Sequence, residues 1–134
     1  MPRIAVVEDN SADVYLIRQA LHQRGIDELT VLRDGEAGLD FVIAVDSGRM
    51  VAPDLVILDL SLPRRNGAEL LERIKASKAC AGVKVIIASS SRSPSDRSIA
   101  SRFGADYYFV KPSNFDEYMR IGAMVQDLLS AHPH

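Results

Sequence analysis

Four consecutive aliphatic residues, Leu55-Val56-Ile57-Leu58, run without interruption into Asp59. A short run with no polar alternation leaves no face for water, so it reads as a strand buried on both sides. The run ends on a carboxylate, and Pro63 then stops any regular structure from continuing. This delivers a single acid to the edge of a sheet, where burial is costly unless other groups compensate it. The rest of the chain is expected to supply that compensation.

The same grammar recurs along the chain. Strand one is expected from Arg3 to Val7 and ends on Glu8-Asp9. Asn10 then offers a helix N-cap, with Asp13 at the third helical position. Val14, Ile17, Ala20 and Leu21 share one face of this helix, and Gly25 stops it. Strand two is Leu29 to Leu32. Asp34-Gly35 opens a second helix with Gly38, Phe41, Val42 and Val45 inward, and Ser47-Gly48 closes it. Asn66 caps a third helix, with Glu69 at its third position and Leu70, Leu71 and Ile74 inward. Strand four is Val83 to Ala88, followed by Ser89-Ser90-Ser91. Ser93-Pro94-Ser95-Asp96 is a capping box with Pro at the first position, opening a serine-rich fourth helix from about Pro94 to Phe103. By propensity it is the least secure helix of the chain. Gly104 ends it. Strand five, Asp106 to Val110, runs into Lys111-Pro112. Asn114 and Glu117 cap a fifth helix with Tyr118, Ile121, Gly122, Val125 and Leu128 inward, and His132-Pro133-His134 reads as a frayed tail.

Five strand–helix alternations with apolar strands predict an α/β fold, a parallel sheet covered on both faces and wound by right-handed crossovers. The 134 residues fit a single domain spanning 1–134, without repeat or linker. A net charge of −2 leaves no footprint for nucleic acid or an anionic membrane. No apolar run approaches the ~20 residues that span a bilayer. Arg3 to Val7 meets Glu8-Asp9 too soon for a secretory signal, so a cytoplasmic protein is expected. The lone Cys80 excludes an internal disulfide and a cysteine-based zinc site, and reads as a small, partly buried residue near a helix end.

Sites in such sheets form at the carboxyl ends of the strands. Here those ends carry Glu8-Asp9, Asp59, Ser89 and Lys111, each directly after an apolar run. Carboxylates crowded at one edge raise each other's proton affinity and favour a bound cation. With no Cys or suitable His among them, the donors are oxygens and the ion a hard one, Mg²⁺ or Mn²⁺. Asp59 is then either a ligand of that ion or a nucleophile able to form an acyl phosphate. Lys111 supplies a fixed cation for phosphoryl oxygens and Ser89 a hydroxyl, although three adjacent serines leave that choice open.

The set Glu8-Asp9-Asn10, Asp59 with Pro63 and Gly67, Ser89, and Tyr108-Phe109-Val110-Lys111-Pro112 resembles the receiver domain of two-component response regulators. The resemblance covers the whole chain, and the spacings from Asp59 to Ser89 and to Lys111 fit it. It implies a flavodoxin-like, doubly wound five-stranded sheet of order 2-1-3-4-5 with five helices. It implies that Asp59 receives a phosphoryl group from a cognate histidine kinase. Mg²⁺ would be held by Asp9, Asp59 and the backbone carbonyl of Ser61, with Glu8 acting partly through water. Lys111 would contact the phosphoryl group, Ser89 would bond it, and Tyr108 would change rotamer with it. Ser89 stands where the family usually has Thr. Arg64-Arg65 stand where it usually has neutral or acidic residues.

Val7 to Asp13, Leu60-Ser61-Leu62-Pro63 and the long segment from Gly35 to Pro53 are further similar to stand-alone regulators of cyanobacterial and bacterial phytochrome kinases. That likeness makes a bacteriophytochrome one candidate kinase and implies a homodimer. Tyr107, Phe109 and the outer face of the fifth helix, Met119 and Met124, either supply its apolar contact or are ordinary core and surface. No DNA-binding segment is expected beyond the fifth helix, so output is expected to pass to a downstream protein. Two other readings compete. A phosphotransferase of the haloacid dehalogenase type needs a second acid two residues after its nucleophile, where this chain has Ser61. A flavin-binding flavodoxin-like module needs a phosphate cradle after strand one, where Glu8-Asp9 would repel the ligand.

Overall fold

The structure, a computed structural model, describes residues 2–62 and 66–130. Pro63, the Arg64-Arg65 pair and the expected tail at His132-Pro133-His134 lie outside the described residues. The elements alternate as expected: β1 (Ile4–Val7), α1 (Ser11–His22), β2 (Leu29–Leu32), α2 (Gly35–Asp46), β3 (Leu55–Leu58), α3 (Gly67–Ala76), β4 (Lys84–Ser89), α4 (Pro94–Arg102) and β5 (Tyr107–Val110). The fifth helical segment falls into two pieces, α5 (Phe115–Tyr118) and α6 (Arg120–Ser130), parted only at Met119.

The helix starts follow from local chemistry. Asn10, Asp34 and Asn114 each accept a backbone N–H three residues on, from Asp13, Ala37 and Glu117. Asn66 and Ser93 accept one residue earlier, from Ala68 and Ser95, so Glu69 and Asp96 do not receive those caps. Each such bond satisfies an otherwise orphaned donor.

All pairings are parallel, and the sheet order is β2-β1-β3-β4-β5. Side chains alternate across it, which divides the core in two. Ile4, Val6, Leu55, Ile57 and Ile86 face Ile17, Leu21, Ile121 and Val125 of α1 and α6. Ala5, Val7, Val56, Leu58, Val85 and Ile87 face Val42, Val45, Leu70, Leu71 and Ile74 of α2 and α3. Each buried aliphatic side chain stabilises the fold by about 1.5–3 kcal/mol relative to exposure. Cys80 is buried in the second cluster.

Two glycines are needed for close approach. A Cβ on Gly122 would meet the carbonyl oxygen of Ala20 at 2.7 Å, so glycine lets α6 lie on α1. A Cβ on Gly67 would meet the backbone of Asp59 and Leu60, each at 2.5 Å, so glycine lets α3 start beneath the end of β3.

Helix α4 is the outlier. Ala100 is its only buried residue, and this thin apolar contact matches its weak propensity. Of the residues read either as an apolar contact or as ordinary core and surface, Phe109 and Met119 are core: both are buried in the cluster with Tyr118, and Phe109 packs edge-on against the Tyr118 ring.

Candidate functional site

The sheet order reverses at β1, between β2 and β3. Val7 is paired in register with Leu58, so the next residues, Glu8 and Asp59, emerge side by side at the carboxyl end of the sheet. Their backbones are anchored: the Glu8 N–H donates to Leu32 O at 2.9 Å and the Asp59 N–H to Val7 O at 3.1 Å. The other half of the site comes from β4 and β5, where the Lys111 N–H donates to Ser89 O at 2.8 Å.

Lys111 crosses the sheet edge to the acids. Its ammonium donates to Glu8 Oε1 at 2.6 Å, to Asp59 Oδ2 at 2.9 Å and to Asp13 Oδ2 at 2.9 Å. An ammonium has three N–H donors, and here each faces a carboxylate. The second oxygen of Asp59 accepts the Ser61 N–H at 2.8 Å, and the second oxygen of Glu8 accepts the Asn10 N–H at 3.1 Å. Glu8 is 2 % exposed and Asp59 7 %, whereas Asp9 faces solvent.

The electrostatics follow from this crowding. Burial pushes Glu8 up to about 7, opposed by the Lys111 hydrogen bond and helped by the negative charge of Asp59. Burial also disfavours the Lys111 ammonium, but its three carboxylate partners outweigh this and hold it protonated well above the ordinary lysine range.

The donor set fits a divalent ion. Glu8, Asp9 and Asp59 each offer an oxygen within 4.8 Å of the others, and among the described residues this is the cluster that gathers so. One ammonium leaves the surrounding acids with surplus negative charge, which a hard cation with oxygen ligands would neutralise. Ser61 sits beside it through its backbone.

Ser89 and Tyr108 stand one layer out. Ser89 is 1 % exposed, and its hydroxyl accepts the Ser91 N–H at 3.2 Å. Tyr108 donates its hydroxyl to Ser91 O at 2.9 Å, with the Arg97 guanidinium 4.8 Å from its ring centre. Both residues therefore hold the loop that leads into α4.

Two residues beside Lys111 carry roles that their local sequence does not announce. The spacing gives Asp13 only a capping position, yet the first turn of α1 folds it back over the strand ends. The helical period puts Tyr118 only in an apolar stripe, yet its hydroxyl donates to Asp13 Oδ1 at 2.9 Å. The available signal was that a buried tyrosine hydroxyl needs a partner.

Comparison with known proteins gives a consistent picture. The family model described as response regulator receiver domain matches residues 4–121. The chain is 35 % identical over 118 residues to the probable methanogenesis regulatory protein FilR2 of Methanothrix harundinacea, covering 87 % of this chain and 76 % of that one. It is 31 % identical over 129 residues to response regulator Rcp1 of Synechocystis, covering 95 % and 86 %. The crystal structure of the Mn²⁺-bound form of Rcp1 superposes with a TM-score of 0.85 at 26 % identity, covering 100 % of this chain and 98 % of that one. That of the phosphorylated cyanobacterial phytochrome response regulator RcpA gives 0.83 at 28 % identity, covering 98 % and 96 %. Against several transcriptional regulators the chain spans only about half of the relative's length.

Proposed function

The chain belongs to the response regulator receiver domain family, and from that premise we propose that its Asp59 accepts a phosphoryl group from a histidine kinase. A receiver domain is a phosphoacceptor signalling module. The observation that carries the reading is the position of Asp59, at the point where the strand order reverses, between the Lys111 ammonium and the carboxylates of β1.

The chemistry is a displacement at phosphorus. A carboxylate oxygen of Asp59 forms the new bond, the bond from phosphorus to the donor breaks, and its electron pair leaves with the donor. Glu8, Asp9 and Asp59, with the Ser61 carbonyl, would hold Mg²⁺ or Mn²⁺, which when bound neutralises charge on the phosphoryl oxygens. Lys111 supplies a second, permanent positive charge at the same place. The Ser61 N–H orients the Asp59 carboxylate before reaction. Ser61 also stands where the haloacid dehalogenase reading needs an acid to protonate a leaving group, so that alternative has no support in the site.

Signalling follows from the loop after β4. A phosphoryl group on Asp59 adds about −1.5 to −2 charges and strong acceptor oxygens. The Ser89 hydroxyl turns to it, the loop follows, and Tyr108 exchanges its bond to Ser91 for a new rotamer. Helix α4, tied down by little more than Ala100, moves at small cost. The changed face serves protein partners: a homodimer, the kinase and a downstream target in the cytoplasm, without nucleic acid or membrane contact. Among the described residues no helix is long and apolar enough to cross a membrane. The likeness to the phytochrome response regulator RcpA favours a phytochrome-type kinase as the donor.

The test is incubation with Mg²⁺ and acetyl phosphate, followed by mass spectrometry beside an Asp59→Asn variant. One phosphoryl adduct on the wild type and none on the variant is expected, with a shift in elution on a sizing column if assembly follows phosphorylation. An adduct on both proteins would place the acceptor elsewhere.

A further inference from the structure

We propose that Asp13 and Tyr118 are a positioning pair that holds the Lys111 ammonium opposite Asp59 while Glu8 and Asp59 change partners. The inference deepens the phosphoacceptor reading and rests on it.

Lysine is a point charge on a flexible four-carbon stem, so its position is only as good as its acceptors. Lys111 has three, and two of them belong to the cation cluster, Glu8 and Asp59. Both take on new partners when a divalent ion and a phosphoryl group arrive. Asp13 lies outside that cluster and is the acceptor that remains. On its own it is a poor anchor, because it sits half-buried on the first turn of α1 and could turn to solvent.

Tyr118 removes that freedom. Its hydroxyl donates to one oxygen of Asp13 while Lys111 holds the other. The ring is 1 % exposed and packs edge-on against Phe109, with ring centres 5.5 Å apart. Burial, and then the charge of Asp13, push the phenol above its ordinary range, so it remains a donor under working conditions. A continuous line of bonds thus joins α5 to the phosphoacceptor: Tyr118, Asp13, Lys111, Asp59. A tyrosine that merely filled the core would leave the reaction rate indifferent to its hydroxyl.

The test is a double-mutant cycle of Tyr118→Phe and Asp13→Ala, read as initial rates of phosphorylation by acetyl phosphate across a Mg²⁺ titration. Tyr118→Phe is expected to lower the maximal rate by about tenfold, the loss of one charge-assisted hydrogen bond. Its half-saturating Mg²⁺ concentration is expected to stay within about twofold, since neither residue is a cation ligand. The double variant is expected to be no slower than Asp13→Ala alone. A Tyr118→Phe protein as fast as wild type, or losses that multiply in the double variant, would overturn the proposal. A second readout needs no phosphate chemistry: the Lys111 Nζ proton signal in metal-free protein, followed by low-temperature NMR. Its exchange with water is expected to quicken by about tenfold in Tyr118→Phe, and an unchanged rate counts against the pair. If the wild type takes up no phosphate while Tyr118→Phe still shows this quickening, the phosphoacceptor reading is lost and the positioning pair stands.

Discussion

Glu8 sits where the chain's chemistry and its stability pull against each other. It is buried among acids, and its carboxyl is pushed up to about 7 from the usual value of 4.5. Between those values the folded chain keeps a proton that the unfolded chain has released. Folding stability in metal-free protein therefore falls as pH rises through this window. Urea denaturation with a chelator present is expected to give a lower midpoint at pH about 7.5 than at pH about 5, and Glu8→Gln is expected to flatten that difference. Added Mg²⁺ is expected to restore the midpoint at the higher pH, because a cation neutralises what the proton no longer does. A different constraint acts at Gly67, where any Cβ would press on the backbone of Asp59 and Leu60. Gly67→Ala is expected to cost about 1–3 kcal/mol in a chemical melt, as other overpacked sites do. It is also expected to slow phosphorylation, since the residue displaced is the acceptor.

Helix α4 and the loop before it show how an element becomes a switch. Its sequence, Pro94-Ser95-Asp96-Arg97-Ser98-Ile99-Ala100-Ser101-Arg102, offers few strong helix formers and one buried side chain. The loop is instead held by single polar contacts, Ser89 on the Ser91 N–H and Tyr108 on the Ser91 carbonyl. These are bonds of about 0.5–1.5 kcal/mol each, small enough for a phosphoryl group to outbid. Ser89→Ala keeps Asp59 and Lys111 intact, so it is expected to accept phosphate as readily as the wild type. It is expected to lose most of the phosphorylation-dependent change in α4, read as amide hydrogen exchange. Full retention of that change would remove Ser89 from the switch. The capping residues illustrate the same scale from the other side. Asn10, Asp34, Asn66, Ser93 and Asn114 were each readable as helix starts and each accepts a backbone N–H. A cap acts on its own next few residues, so its effect needs no knowledge of the fold.

For the whole molecule, the sheet's two open edges are β2 and β5, and β5 carries the exposed Tyr107, which donates to Asp127. Phe109 and Met119 lie in the core, which leaves Tyr107 and the half-buried Met124 as the candidates for an apolar contact between molecules. Strands and helices were legible because burial on both faces demands unbroken apolar runs, and a helix face demands its own period. The strand ends were legible because each places a polar group directly after such a run. Strand order was carried by the family resemblance, since no local period records which strand lies beside which. What the amino-acid sequence determined unaided is a layered α/β chain with acids, a hydroxyl and a lysine at the ends of its strands. Only the tertiary structure decided that Lys111 would meet Asp13 as well as Glu8 and Asp59, and that the Tyr118 hydroxyl would lie behind it. The reason is that periodicity fixes which side a residue faces, whereas a hydrogen bond across about a hundred residues depends on how whole helices dock, as where Gly122 lets α6 lie on α1.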